Sequence, residues 1–307
     1  MKVLVAVDSV ISFDILINEM SARSWPAGTE ARVLSVVGDG DVPLKTWRDE
    51  GYEVSAVRRE MQRRGEQLSV LGVERLRRIG IPAQVVIMRG NPEFLIPFAA
   101  RSWPAHLIIM RAHNRTDFRS RLLGSVAKEV VKNAPCSVEV VRAREQADTT
   151  PFRVLLATDG SAASITASKA VAEMSWPENT EVKVVSAVNP MLYSLEELGL
   201  TGDTGTDHAH RAIGNAVQLL SSAPLKISAE VIAGNAARQI VARAKHWEAD
   251  LIVLGTNERR GLSRLLFGST SAAVAKRAHC SVRVVRKNDA QAGSLESANL
   301  LQESKAA

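Results

Sequence analysis

The sequence predicts an α/β protein made of two copies of one domain, each a five-stranded parallel sheet flanked by helices. Three observations predict it. Short apolar runs alternate with longer helical patterns along the chain, as in successive βαβ units. Hydrophobic residues make up 46% of the 307 residues but aromatics only 4%, an aliphatic composition suited to strands covered on both faces. The second half of the chain also repeats the first at constant spacing, the signature of a duplicated unit.

The repeat begins at once. Val3 to Asp8 corresponds to Val154 to Asp159, and Ser24-Trp25-Pro26 to Ser175-Trp176-Pro177, all at an offset of 151. Further on, Gly90-Asn91 corresponds to Gly234-Asn235, Gly124-Ser125 to Gly268-Ser269, and Cys136 to Arg142 to Cys280 to Arg286, all at an offset of 144. The register therefore slips once, by seven residues, between the second and third strands of each copy.

Taken in order, the first copy opens on a strand over Lys2 to Val7 and runs strand, helix, strand, helix to a fifth strand around 137–141. In the second copy the strands fall at about 153–158, 182–188, 227–232, 250–255 and 281–285. Its helices fall at about 161–174, 207–222, 236–247 and 268–278. The domains are accordingly 1–143 and 152–287. Polar, aperiodic residues 143–150 read as the linker, and 288–307, rich in Ala, Ser, Gln and Asn, as a disordered tail.

Composition narrows the chemistry. A net charge of +6 permits anionic ligands without singling out nucleic acid. Arg58, Arg59, Arg63, Arg64, Arg75, Arg77 and Arg78 are interleaved with Glu60, Glu66 and Glu74 and lack stacking aromatics. They read as a solvated helix face, not a nucleic-acid surface. Cys136 and Cys280 lie in no metal-ligand or redox pattern and read as small buried hydrophobes. No metal site or membrane span is expected. Met1 leads straight into a strand, so no export signal is expected and the cytoplasm is the expected compartment. His208 and His210, two apart on a helix, read as surface residues, as does the loop residue His113. Trp25 and Trp176 are expected to close the first helix of each copy against the core.

An open parallel sheet binds ligands beyond the carboxyl ends of its strands, where the strand order reverses, and an order of 3-2-1-4-5 would put that reversal between the first and fourth strands. In the second copy, Asp159 at the end of the first strand and Gly255 at the end of the fourth would lie side by side. After Gly255 come Arg259, Arg260 and Arg264, then Gly268 and Ser269 at the start of a helix. Two readings fit this spacing: Ser269 caps its helix, or the helix N-terminus holds a phosphate. No Lys follows Gly268-Ser269, so this is not a Walker loop, and no nucleophile elbow occurs.

Together these residues resemble the universal stress protein family. The shared pattern is Ala-x-Asp near the start, a glycine motif after the fourth strand ending in Gly-(Ser/Thr), and a closing Cys-(Pro/Ser)-Val-x-Val-Val. The resemblance covers nearly the whole chain and implies a Rossmann-like fold of the adenine nucleotide alpha hydrolase-like kind. It further implies ATP, with Mg²⁺ accompanying it, held by Ala157, Thr158, Asp159 and Ala187 on the adenine side. Leu254 and Gly255 would line the ribose, and Gly268, Ser269 and Thr270 the phosphates. Asp8, Gly124 and Ser125 are the first copy's weaker equivalents. Two departures stand out. Glu258 replaces a motif glycine in the second copy, and Arg111 and Asn114 replace two in the first. Arg111 either fills the first pocket, the preferred reading, or binds an anion directly.

The expected function is that of a tandem, non-enzymatic stress-response regulator binding an adenine nucleotide mainly in its second domain and contacting a protein partner. A nucleotide-independent scaffold and a slow ATP hydrolase are the alternatives. No catalytic residue is assigned. Family dimers pair through the last strand, so the two halves are expected to pair within the chain as a pseudo-dimer, with a homodimer also open to it. Glu139 and Arg283 would then be opposed.

Overall fold

A computed structural model describes residues 1–38, 53–112, 123–143, 151–189, 191, 205–256 and 268–287. The first half comprises β1 (Lys2–Val7), α1 (Val10–Ser21), β2 (Glu30–Val37), α2 (Val54–Arg78), β3 (Ala83–Arg89), α3 (Pro92–Ser102), β4 (Leu107–Arg111), α4 (Ser125–Asn133) and β5 (Ser137–Val141). The second comprises β6 (Arg153–Ala157), α5 (Ala162–Ala172), β7 (Glu181–Val188), α6 (Gly205–Leu220), β8 (Lys226–Ala233), α7 (Ala236–His246), β9 (Leu251–Gly255), α8 (Ser269–Arg277) and β10 (Ser281–Val285). The expected second-half boundaries differ from these by two residues or fewer. Helix α6, for instance, stops two residues early, where the Ser221 and Ser222 hydroxyls take the carbonyls of Gln218 and Leu219 and Pro224 follows.

The ten strands among the described residues form one sheet, β3-β2-β1-β4-β5-β10-β9-β6-β7-β8. Each half has the order 3-2-1-4-5 with every pairing inside it parallel. The halves meet in an antiparallel seam between β5 and β10, where Val138, Glu139 and Val140 oppose Val284, Arg283 and Val282. The expected pairing of the two last strands within the chain is therefore present, with Glu139 directly opposite Arg283. It also removes what would otherwise be two open apolar edges.

Strand alternation gives the seam two different faces. Val138, Val140, Val282 and Val284 point to one side, into an apolar core that runs unbroken across both halves beneath α3, α4, α7 and α8. On the other side the core is split in two, one part under α1 and α2 and one under α5 and α6. Between these parts Glu139 is fully buried. It accepts hydrogen bonds from both guanidiniums: Arg23 Nη1 at 3.2 Å and Arg283 Nε at 2.7 Å. Arg23 also pairs with Glu19 at 3.4 Å, and Arg283 reaches the Met174 sulfur. Burial alone would push the Glu139 carboxyl up, but the two arginines outweigh it and hold the group at about 2.

The repeated Ser-Trp-Pro segments serve the same seam. The Trp25 and Trp176 indoles donate to the carbonyls of Met20 and Val171 at 2.9 and 2.8 Å, closing α1 and α5 as expected. Ser24 and Ser175 form an antiparallel bridge between the halves. Cys136 and Cys280 are buried, and desolvation pushes both thiols up to about 12. Among the described residues, no helix is long and apolar enough to cross a membrane.

Candidate functional site

The site region of the second half starts where β6 ends. Strand pairing stops at Ala157, so Asp159 stands two residues beyond the strand instead of closing it. Thr158 is buried and donates to the Ser164 hydroxyl at 3.2 Å. Asp159 is exposed, and its carboxylate accepts the Ser161 amide at 3.0 Å. Partial burial pushes the Asp159 carboxyl up, but hydrogen bonds from Ser161 and Ser164 prevail and lower it below its ordinary value. Gly160 follows at φ +74°, a conformation that favours glycine.

Gly255, at the end of β9, has a packing role of its own. A Cβ there would stand 2.3 Å from the backbone carbon and oxygen of Ala163. The first turn of α5 thus rests directly on the end of β9. The glycine expected to line the ribose points its missing side chain at a helix. Leu254 points to the opposite face, with Ala157 beside it in register and Ala187 packed against the same core. That is the face of α7 and α8.

The last described helix of each half starts on a glycine. Helices α1, α3, α5 and α7 are capped by the side chains of Ser9, Asn91, Ser161 and Asn235. Helices α4 and α8 have Gly124 and Gly268 at that position, with no side-chain cap. Ser269 is thus the first helical residue, not the cap. Leading amides that no cap side chain accepts, at the positive end of a helix, suit an anion. Ser271, one turn in, donates to the Gly268 carbonyl at 3.0 Å and lies 3.5 Å from the Thr256 hydroxyl, tying the start of α8 to the end of β9.

In the first half the corresponding strand ends frame a cleft of about 1110 Å³. This is slightly above the roughly 300–1,000 Å³ of an ordinary small-molecule site. Asp8, Gly124 and Ser125 line it together, and so does Arg111. Its charged wall residues include the carboxylates of Asp8 and Glu93 and the guanidiniums of Arg64 and Arg111. At the 144-residue offset, Glu93 and Arg111 become Ala237 and Gly255. The second half therefore carries neither this carboxylate nor this guanidinium at the matching positions.

Sequence reasoning missed two features. His208 is exposed, as expected of a surface residue, yet its Nε2 lies 2.8 Å from the Asp159 carbonyl, so the imidazole donates there from the start of α6. Arg142 and Arg286 were visible as a matched pair, but their partners lie across the seam and no spacing rule locates them. Glu258, Arg259, Arg260, Arg264, His113 and Asn114 lie outside the described residues, as do most of the expected linker and the expected tail. Among the described residues, no cluster of His, Cys, Asp and Glu is arranged to hold a metal.

Comparison with known proteins agrees with this architecture. The family model described as the universal stress protein family matches residues 1–142 and again 152–286. A universal stress protein of Methanocaldococcus jannaschii is 32% identical over 139 residues, covering 44% of this chain and 82% of that protein. One from Mycobacterium tuberculosis is 25% identical over 295 residues, covering 91% of this chain and 97% of the relative. The crystal structure of a universal stress protein from Archaeoglobus fulgidus superposes with a TM-score of 0.63 at 19% identity, covering 94% of this chain and 97% of the other. The chain belongs to the universal stress protein family, as a tandem member.

Proposed function

We propose that this universal stress protein is a non-enzymatic stress-response regulator that binds ATP or another adenine nucleotide, chiefly in its second half, in the cytoplasm. One observation carries the reading. Helix α8 starts on Gly268 without a side-chain cap, at the carboxyl ends of β6 and β9, while α7 beside it and α5 on the other face of the sheet are capped. Ala157, Leu254 and Ala187 share the face under that helix and supply an apolar floor for a purine. The second-half wall also has Ala237 where the first has Glu93, which removes a carboxylate that would repel phosphate. Mg²⁺ accompanies the nucleotide in this reading, carried by the phosphates.

A second reading concerns the first half. Its cleft is large enough for a nucleotide, and Arg111 on its wall offers an anion two parallel hydrogen bonds.

Purified protein is denatured and assayed for released adenine nucleotide, then the nucleotide-free chain is titrated with ATP by calorimetry. Wild type is expected to bind. Gly268→Arg is expected to lose that binding with an unchanged melting temperature, because Gly268 has φ −52° and a side chain there needs no unusual backbone. Loss of binding in Gly124→Arg instead would move the site to the first half. No binding by wild type would leave the nucleotide-independent scaffold. Phosphate release above background, abolished by Asp159→Ala, would make the protein a hydrolase.

A further inference from the structure

Two arginines reach across the seam in the same way. Arg142 follows β5 of the first half, yet its guanidinium donates to the carbonyls of Ala275 at 2.8 Å and Cys280 at 3.2 Å, at the end of α8 in the second half. Arg286 follows β10 of the second half and donates to Val131 and Ala134 at 2.7 Å and Lys132 at 3.0 Å, at the end of α4 in the first half. Their amides are held reciprocally as well, Arg142 N by the Ser281 hydroxyl and Arg286 N by the Ser137 hydroxyl, each at 3.1 Å. A cation at a helix C-terminus satisfies carbonyls that have no partner inside the helix and complements the helix dipole.

Each clamped helix has its other end at a candidate site. Helix α8 spans nine residues, about 13 Å, from Ser269 to the carbonyls that Arg142 holds. Helix α4 runs likewise from Ser125, on the wall of the first-half cleft, to the carbonyls that Arg286 holds. The arginines are also tied to the site of their own half. Val141, next to Arg142, accepts the amide of Ala112 at 3.0 Å, just beyond Arg111 on the cleft wall. Val285, next to Arg286, accepts the amide of Thr256 at 3.1 Å, just beyond Gly255.

We propose that Arg142 and Arg286 are positioning residues acting in trans: each sets the helix whose N-terminus faces the site of the opposite half, so that the two sites are coupled through the seam. The coupling runs from the end of β4 through Val141 and Arg142 to α8 and the second-half site. It runs in the reverse sense from the end of β9 through Val285 and Arg286 to α4 and the first-half cleft. The ligand side of this proposal rests on the nucleotide reading above, whereas the clamp itself does not.

Hydrogen–deuterium exchange of the full chain tests the clamp without any ligand. Arg142→Met is expected to speed exchange in residues 269–277 by roughly ten-fold, the effect of losing charge-assisted bonds to a helix end, and to leave 125–133 unchanged. Arg286→Met is expected to do the reverse. Faster exchange confined to the arginine's own half, or no change in either helix, would overturn the proposal. If a Met variant exchanges everywhere because it no longer folds, Arg142→Lys and Arg286→Lys decide. Each keeps a cation at the helix end and is expected to show the same crossed pattern at smaller amplitude.

Titration with ATP supplies the second readout. Arg142→Met is expected to weaken second-half binding roughly ten-fold from the opposite half, with Arg142→Lys restoring part of it. Unchanged affinity in Arg142→Met would overturn the coupling to the site. Failure of the wild-type chain to bind ATP would remove the nucleotide reading, while the crossed exchange pattern would still decide the clamp.

Discussion

Neutralising Glu139 is the most informative single change. Its side chain is fully buried between Arg23, also fully buried, and Arg283, 6% exposed. With Glu19 the cluster comprises two carboxylates and two guanidiniums and is neutral. Glu139→Gln keeps the shape but leaves one net positive charge in a site closed to water. Removing one partner of such a buried pair costs about 3–5 kcal/mol, because the remaining charge is desolvated without compensation. Glu139→Gln is therefore expected to lower the stability of the chain by about that amount in urea denaturation. The double variant Glu139→Gln, Arg283→Met restores neutrality and is expected to lose less than the sum of the single changes. The pH dependence carries the same sign. The group is held at about 2 in the fold against an ordinary value of about 4.3. Its contribution is present above that ordinary value and is lost progressively as pH falls toward 2. A Glu139→Gln loss below about 1 kcal/mol, or strict additivity in the double variant, would refute the reasoning.

Other changes test other parts of the structure. Gly255→Ala would drive a methyl group into the backbone of Ala163, and a cost of about 1–3 kcal/mol, read as a lowered melting temperature, is expected. Arg111→Gly at the matching position of the first half should leave the melting temperature nearly unchanged, since Arg111 lines the wall of a cleft. Cys136 and Cys280, with thiols pushed up to about 12, should resist alkylation at neutral pH in the native protein and react once it is unfolded. Trp25→Phe and Trp176→Phe each remove one indole hydrogen bond at the end of a first helix. The two losses should match, at about 1 kcal/mol each, as measured by urea denaturation.

Much of the fold was legible because the repeat states it twice. Offsets of 151 and 144 aligned the strands before any strand was seen, and the aligned last strands placed Glu139 opposite Arg283. The partner that completes their pairing was not legible, because Arg23 aligns with Met174 and the repeat is silent where its copies diverge. Gly255 was read from its position in a ligand motif, but its contact with α5 depends on how closely a helix settles on a strand, which spacing does not encode. Ser269 read equally well as a cap or a phosphate ligand; the backbone of Gly268 puts the cap one residue earlier. His208 looked solvated from its helical phase, and only the placement of α6 over the end of β6 brings its ring to the Asp159 carbonyl.

The antiparallel seam also gives the molecule direction. Strands in each half run parallel, but the two sets run opposite ways through a common sheet, so their carboxyl ends emerge at opposite ends of the protein. A partner bound at one end would therefore meet only one half's candidate site. The two ends also differ chemically, since Arg111 and Glu93 on the first-half cleft correspond to Gly255 and Ala237 in the second half. A single rigid sheet thus has two dissimilar poles, and a bound molecule at either one is approached from its own side of the protein.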